Sequence, residues 1–183
     1  MSERSRLGRL AARLALAAVI ALLFASSARA QSACSVPWEV QVIDLINRER
    51  SNAGLPPYAM DIRLVESARL HSQDMAVNAY FSHTGLDGST FAEREQRAGY
   101  TSPGGENIAA GYPTPEAAVA GWMASSGHRA LILHTTMTHI GLGYAAGGPY
   151  GHYWTANFGR ATSLAQVGVC AGAPGAPRIA SQP

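Results

Sequence analysis

Two histidines and one glutamate are the residues of this chain whose types are best suited to chemistry. They stand in three separate segments with turn-like sequences: Phe81-Ser82-His83, Gly104-Gly105-Glu106-Asn107 and Ser126-Gly127-His128-Arg129. Because these segments are far apart in the sequence, a site that contains all three side chains must be assembled by folding. Neutral imidazoles and a carboxylate can bind a divalent metal ion, and the same groups can transfer protons. The sequence predicts a site of one of these two kinds and leaves both open.

A zinc ion is one candidate for the group bound by His83 and His128. Two imidazoles, completed by water or a carboxylate, would form an open coordination shell of the kind found in catalytic or exchangeable sites. With two firm protein ligands, the affinity is expected to be weak and to fall as the imidazoles are protonated. Glu106 would be a third ligand, or it would accept a hydrogen bond and fix the tautomer of one imidazole. The alternative is a hydrogen-bonded network that only holds the three segments together.

Helical spacing of apolar residues predicts the elements that position these segments. The first helix is expected over residues 37–53, and a second begins after the cap Asp61. A short helix is expected to start at Ser89 or Thr90, where Glu93 could complete a capping box from Thr90, and to end near residue 97. A fourth helix follows the cap Thr114. Beyond residue 137 the apolar period changes to two. That change predicts an antiparallel hairpin with its turn at residues 147–149.

The first 30 residues have the features of a secretory signal peptide. Four arginines precede an apolar run over residues 14–25, and Ala28-Arg29-Ala30 forms a small-x-small cleavage site. The run is shorter than the roughly 20 residues that span a bilayer, and no later segment is long and apolar enough. We therefore predict a protein that has no transmembrane segment and is secreted to the periplasm or the extracellular space. Lipidation at Cys34 is disfavoured, because Gln31 stands where an aliphatic residue is expected.

The charge of the mature sequence argues against nucleic acid or an anionic membrane surface as a partner. Removal of residues 1–30 takes away five of the 14 basic residues and one of the 12 acidic residues, which changes the net charge from +2 to −2. All the remaining basic residues are arginines, and they do not cluster in the sequence. We expect no nucleic-acid partner.

The mature chain is predicted to form one domain over residues 31–170, followed by a flexible tail rich in Pro, Gly and Ala over residues 171–183. Its two cysteines, Cys34 and Cys170, lie near the two ends of that domain. Because the protein is expected to leave the reducing cytoplasm, we predict a disulfide between them, worth about 2 to 5 kcal/mol. The alternative is a pair of buried free thiols.

A series of short motifs runs in order through residues 38–159. They are Asn47-Arg48-Glu49-Arg50, His71-Ser72-Gln73-Asp74-Met75, Ser82-His83, Gly105-Glu106-Asn107-Ile108-Ala109, Trp122-Met123, Gly127-His128-Arg129, Ile140-Gly141-Leu142-Gly143 and Tyr153-Trp154. Together they resemble the CAP superfamily of cysteine-rich secretory proteins, antigen 5 and pathogenesis-related proteins, in its compact bacterial, SCP-like branch. The resemblance implies a secreted α+β protein, a three-layer α-β-α sandwich with a mainly antiparallel central sheet.

The resemblance also implies a central cleft that holds two histidines and two acidic residues. His83 and His128 match the two histidines, and Glu106 matches the first acid. Many relatives place a glutamate three residues after the helix tryptophan, where this chain has Ser125, so Glu106 is expected to be the one cleft acid. Acid and base chemistry would then rest on Glu106, unless another group replaces the second acid: Asp74, Asp87 or a water molecule.

Three functions from different classes fit these features. The first is a binding module for a small apolar ligand of the lipid or sterol class, as some relatives suggest, or for a weakly held divalent metal such as zinc at His83, His128 and Glu106. The second is a metal-assisted hydrolase or peptidase in which Glu106 is the catalytic residue that moves protons. The third is a non-catalytic envelope or extracellular protein with a protein partner. The expected absence of a second acid disfavours the enzyme.

Overall fold

The computed structural model describes residues 37–160 of the 183-residue chain. The predicted signal peptide, the predicted disulfide between Cys34 and Cys170 and the predicted tail lie outside this range. None of the helices within it is both long enough and apolar enough to cross a membrane. The described elements are α1 (Pro37–Asn52), β1 (Ala59–Met60), α2 (Ile62–Val77), α3 (Phe91–Arg97), β2 (Pro103–Ala110), α4 (Pro115–Ala124), α5 (Ser126–Ile132), β3 (His139–Gly147) and β4 (Gly151–Gly159).

Side chains at three helix starts confirm the predicted caps. Asp61 accepts a hydrogen bond from the backbone N–H of Arg63 at the start of α2. Thr90 and Glu93 form a reciprocal capping box at the start of α3, and Thr114 caps α4. The caps satisfy backbone donors that have no carbonyl partner within their own helix, so they fix where each helix begins.

The four strands form one mixed, mainly antiparallel sheet in the order β1-β3-β4-β2. The predicted β3–β4 hairpin is present, β2 pairs antiparallel with β4, and the two-residue β1 pairs parallel with β3. Helix α2 packs on one face of the sheet, and α1 and α4 pack on the other. The α+β fold and its three-layer arrangement are therefore confirmed, while the parallel β1–β3 pair is an addition to the prediction.

Two glycines of β3 allow α2 to lie directly against the sheet. A Cβ on Gly141 would come within 2.2 Å of the backbone of Leu64, and a Cβ on Gly143 would come within 2.2 Å of the backbone of Ala68. Both glycines face α2, because residues two apart on a strand share a face. This close packing fixes α2 against the centre of the sheet.

The opposite face of the sheet carries the larger hydrophobic core. Ile140 and Leu142 of β3 and Trp154 of β4 are buried in one cluster with Ile46 of α1 and Trp122 of α4. Burial of an aliphatic side chain of this size contributes roughly 1.5 to 3 kcal/mol relative to exposure. The core therefore holds β4 firmly, and β4 in turn holds the edge strand β2.

Two elements near the candidate site differ from the prediction. The segment around Glu106 was expected to be turn-like, but it lies in strand β2, which pairs with β4. Glycine and asparagine are poor strand formers, and pairing with a buried strand overrides that preference. Helix α4 ends at Ala124 and a new helix, α5, begins at Ser126, so His128 lies on a short helix.

Candidate functional site

Glu106 lies on the edge strand β2 and faces the α2 side of the sheet. Ile108, two residues further along, packs with Met75 of α2, whereas Ala109 belongs to the core on the other face. Because side chains alternate along a strand, Glu106 shares the face of Ile108 and Asn107 lies on the opposite face. The side chain of Glu106 is 1% exposed, so its charge needs partners within the protein.

A hydrogen-bonded chain joins His83, Glu106 and Arg94. The Nδ1–H of His83 donates to Glu106 Oε1 at 2.8 Å, and Arg94 Nη2 donates to Glu106 Oε2 at 2.7 Å. Each carboxylate oxygen of Glu106 therefore accepts a hydrogen bond. The bond to Oε1 places the proton of a neutral His83 on Nδ1 and leaves a lone pair on Nε2. The His83 side chain is 53% exposed, so this ring reaches solvent.

Arg94 ties the loop that carries His83 to strand β2. Its guanidinium donates to the carbonyl oxygens of His83 at 3.0 Å and Ser89 at 2.8 Å, in addition to Glu106. The Arg94 side chain is 10% exposed, so its ion pair with Glu106 is largely shielded from solvent. The sequence alone does not identify Arg94 as a residue of this site. A buried carboxylate on β2 requires a cation, but the sequence does not show which arginine folding brings there.

His128 reaches the site from helix α5. Asn107 Nδ2 donates to the backbone carbonyl of His128 at 3.0 Å, which ties the start of α5 to strand β2. The pKa of His128 is lowered, first by burial and then by the charge of His83. The two imidazoles are therefore close enough for their charges to interact, and His128 is neutral at physiological pH.

A second buried acid stands close enough to Glu106 for the two charges to interact. Glu95 of α3 is fully buried, and neither of its carboxyl oxygens has a hydrogen-bond partner among residues 37–160. Burial, followed by repulsion from Glu106, raises the pKa of Glu95 to about 9, so this group is protonated at neutral pH. Glu95 lies four residues after Phe91 in α3, but a short helix with so many charged residues gives no signal in the sequence that this carboxyl is buried.

Asp74 and Asp87, the two residues considered as replacements for the second acid, and Ser125, which stands in its place, bond elsewhere or lie between helices. Asp74 accepts a hydrogen bond from the Tyr80 hydroxyl, and the exposed Asp87 pairs with Arg97 at 2.7 Å. Ser125 joins α4 to α5. In the described part of the chain, none of these three side chains is hydrogen-bonded to Glu106.

His71 of α2 supports the backbone just before His83. Its ring is buried, and Nε2–H donates to the carbonyl oxygen of Ser82 at 2.9 Å. This bond leaves a lone pair on His71 Nδ1, which has no partner within residues 37–160. Burial is the main reason that the pKa of His71 is lowered, so the ring stays neutral at pH 7.

The donor atoms suit a divalent ion held by two imidazoles better than a three-residue metal site. Among the described residues, no group of three or more His, Cys, Asp or Glu is placed to hold a metal ion. Both oxygens of Glu106 are already engaged, which favours a role as the acceptor that orients His83. His83 and His128 remain as the candidate ligands, with water or a substrate to complete the shell.

The chain matches known proteins over the region that contains these residues. The profile of the cysteine-rich secretory protein family, CAP, matches residues 43–158. The chain is 43% identical over 122 residues to the uncharacterized protein YkwD of Bacillus subtilis, a match that covers 66% of this chain and 46% of that protein. It is 37% identical over 121 residues to the uncharacterized membrane protein YlbC of the same organism, covering 66% of this chain and 34% of that protein. The match thus spans less than half the length of either relative.

A solved structure shares both the sequence motifs and the fold. The crystal structure of an extracellular protein containing an SCP domain from Bacillus anthracis superposes on this chain with a TM-score of 0.61 at 38% sequence identity. The superposition covers 67% of this chain and 40% of the Bacillus anthracis chain. These relatives support the resemblance to the bacterial branch that the motifs indicate.

Proposed function

Because the chain belongs to the cysteine-rich secretory protein (CAP) family, we propose that it is a secreted CAP-domain protein that binds a divalent metal ion through His83 and His128. Secretion is supported by the signal-peptide features of residues 1–30 and by the Bacillus anthracis relative, which is described as extracellular. The relatives extend well beyond the matched region, so the proposal concerns the activity of this domain.

The chain from His83 through Glu106 to Arg94 is the observation that carries the metal proposal. Metal-binding histidines commonly donate their second ring N–H to a carboxylate, which fixes the tautomer and turns the other nitrogen toward the ion. His83 donates in this way to Glu106 at 2.8 Å. Arg94 holds the second oxygen of Glu106, which keeps the carboxylate in its place beside the ring. His83 is thus prepared to offer Nε2 as a ligand.

Zinc is the ion that best fits two imidazole ligands in an oxidising compartment. When bound, such an ion would act as a Lewis acid and lower the pKa of a coordinated water. With two protein ligands, we expect an affinity far below that of a structural zinc site. The lowered pKa of His128 keeps that ring available to an ion at mildly acidic pH, while protonation of either ring abolishes its lone pair.

Metal-assisted hydrolysis is a second candidate, and Glu95 is the observation in its favour. A protonated carboxyl near a second carboxyl is a typical arrangement of acid–base sites. Glu95 carries a proton at neutral pH, and its charged form would be repelled by Glu106. The carboxyl groups of Glu95 and Glu106 are both buried, however, so metal binding is the first candidate function and hydrolysis the second. If hydrolysis occurs, Glu106→Gln should abolish turnover of a peptide substrate while Zn²⁺ still binds.

Calorimetric titration of the purified protein with Zn²⁺ tests the proposed function. We expect one ion per chain at neutral pH, weaker binding at pH 5.5, and loss of binding in the His83→Ala, His128→Ala double variant. The matched control is the His134→Ala, His152→Ala double variant, which removes two partly buried histidines outside the site. Unchanged binding in the first variant, or loss of binding in the control, would contradict the proposal.

A further inference from the structure

Strand β2 is an outer strand of the sheet, because it pairs with β4 and with no other strand among residues 37–160. The backbone N–H of Gly111 donates to the carbonyl oxygen of His152, and this bond sets the alternation of hydrogen bonds between the two strands. Residues 105, 107 and 109 therefore direct their backbone groups toward β4. The backbone N–H and C=O groups of Glu106 and Ile108 point the opposite way, toward the free side of β2.

The backbone of Glu106 on this free side is unpaired and reaches solvent. Within residues 37–160, the hydrogen bonds of Glu106 on its free side are those of its carboxylate, and none involves its backbone. Glu106 as a whole is 6% exposed, whereas its side chain is 1% exposed, so the exposed part of this residue lies mainly on its backbone. At Ile108 the carbonyl oxygen already accepts a hydrogen bond from Trp122 Nε1 at 3.1 Å. The accessible donor and acceptor are therefore centred on Glu106.

Two walls make the free side of β2 the floor of a cleft. The Glu106 side chain bonds to His83 on the α2 side of the sheet, and Asn107 bonds to the backbone of His128 on the opposite side. The backbone of Glu106 thus lies between the segments that carry the two histidines, whose charges are close enough to interact. A floor recessed in this way admits a single extended chain. It disfavours a second copy of β2, which is recessed behind its own two walls.

Apart from its start, β2 lacks the devices by which edge strands avoid pairing with another chain. Pro103 and the irregular register between Pro103 and Gly105 protect the start of the strand. Residues 104–110 contain no lysine and no proline, and their one charged side chain, that of Glu106, is turned into the protein. The strand is therefore open to the addition of a further strand.

We propose that β2 binds a peptide segment in extended conformation, which lies in the cleft as an added antiparallel strand. One peptide residue pairs with Glu106: its N–H donates to the Glu106 carbonyl oxygen, and its carbonyl oxygen accepts a hydrogen bond from the Glu106 N–H. Recognition of this kind reads the peptide backbone, so it selects an extended segment without proline rather than one particular sequence. The site goes beyond the proposed metal function, because neither imidazole is a ligand of the peptide.

Nuclear magnetic resonance of isotope-labelled protein, with a chelator present, tests this inference apart from any bound metal. The probe is an acetylated and amidated pentapeptide of alternating threonine and valine, and its matched control carries a methyl group on every backbone nitrogen. We expect the probe to move the amide resonance of Glu106 and to slow its exchange with solvent about tenfold at saturation. The amide resonances of Asn107 and Ala109, which already bond to β4, should move less. The methylated control should bind at least about tenfold more weakly, because it has no N–H to donate.

A pair of variants at Ile108 tests the same site from the side of the protein. Ile108→Pro removes an N–H that points to the free side of β2 and leaves the bonds to β4 in place, so it should weaken the probe about tenfold or more. Ile108→Val keeps this N–H and should bind within about twofold of the wild type.

Several results would overturn the inference. They are equal affinity for the methylated control, full binding by Ile108→Pro, and resonance shifts centred away from β2. A Glu106 amide that is already protected in the free protein would also overturn it, because a second copy or another part of the chain would then occupy the edge. Since the titration contains no metal, its failure leaves the zinc proposal standing, and failure of zinc binding leaves this inference standing.

Discussion

The buried acid Glu95 makes the stability of this protein depend on pH in an unusual direction. Its pKa is raised from 4.5 to about 9 in the folded protein, first by burial and then by Glu106. The folded state therefore keeps a proton that the unfolded chain loses above pH 4.5. Stability from this group is full below about pH 4.5 and falls as pH rises toward 9, at most by about 1.4 kcal/mol per pH unit. Between pH 7 and pH 8.5 the loss is about 2 kcal/mol.

Thermal unfolding at pH 7 and pH 8.5 measures this loss. A change of about 2 kcal/mol corresponds to a decrease in Tm of about 8 °C for a domain of this size. The pH range from 7 to 8.5 lies above the range in which His71 and His128 titrate. Because the pKa values of these two histidines are lowered in the folded protein, they make stability rise with pH only at more acidic pH. Glu95→Gln removes the titrating group and should flatten the dependence, whereas the exposed control Glu66→Gln should retain it. A wild-type Tm that is equal at both pH values, or a slope that survives in Glu95→Gln, would refute the reasoning.

Other predictions concern packing and buried polar contacts. Arg94→Met should lower the free energy of unfolding by about 3 kcal/mol, because it leaves a buried carboxylate without its cation, and Arg94→Lys should restore part of it in denaturant titrations. Gly143→Ala should lower the free energy of unfolding by about 3 kcal/mol, because the added Cβ forces α2 away from the sheet. Gly127→Ala should be close to neutral in the same assay, because a Cβ at this position meets nothing within 4 Å. Arg50→Met should destabilise by about 3 kcal/mol, since the buried guanidinium donates to three carbonyl oxygens, and a neutral effect in urea unfolding would contradict this role.

The elements that carry local signals could be predicted from the sequence. The helix caps Asp61, Thr90 and Thr114 can be recognised from residue type and position alone. The two-residue apolar period of β3 and β4 is likewise visible in the sequence. Strand β2 could not be predicted in this way. Its residues are poor strand formers, and it is a strand because β4 pairs with it.

The candidate site was predicted in part. The sequence singled out His83, Glu106 and His128, and the structure brings His83 into contact with Glu106 and within electrostatic reach of His128. The sequence did not single out Arg94 or Glu95, which are neighbours in α3. A short helix with many charged residues is typical of a solvated surface, and only the packing of α3 against β2 shows that these two charges are turned inward.

Imidazole nuclear magnetic resonance during addition of Zn²⁺ tests the central proposal most directly, because it reports on each histidine separately. Before addition, we predict that neutral His83 carries its proton on Nδ1, as its bond to Glu106 requires. On addition, the ring nitrogens of His83 and His128 should shift together and saturate at one ion per chain, while those of His134 and His152 stay unchanged. A proton on Nε2 of His83, or zinc-dependent shifts at His134 or His152 without shifts at His83 and His128, would contradict it.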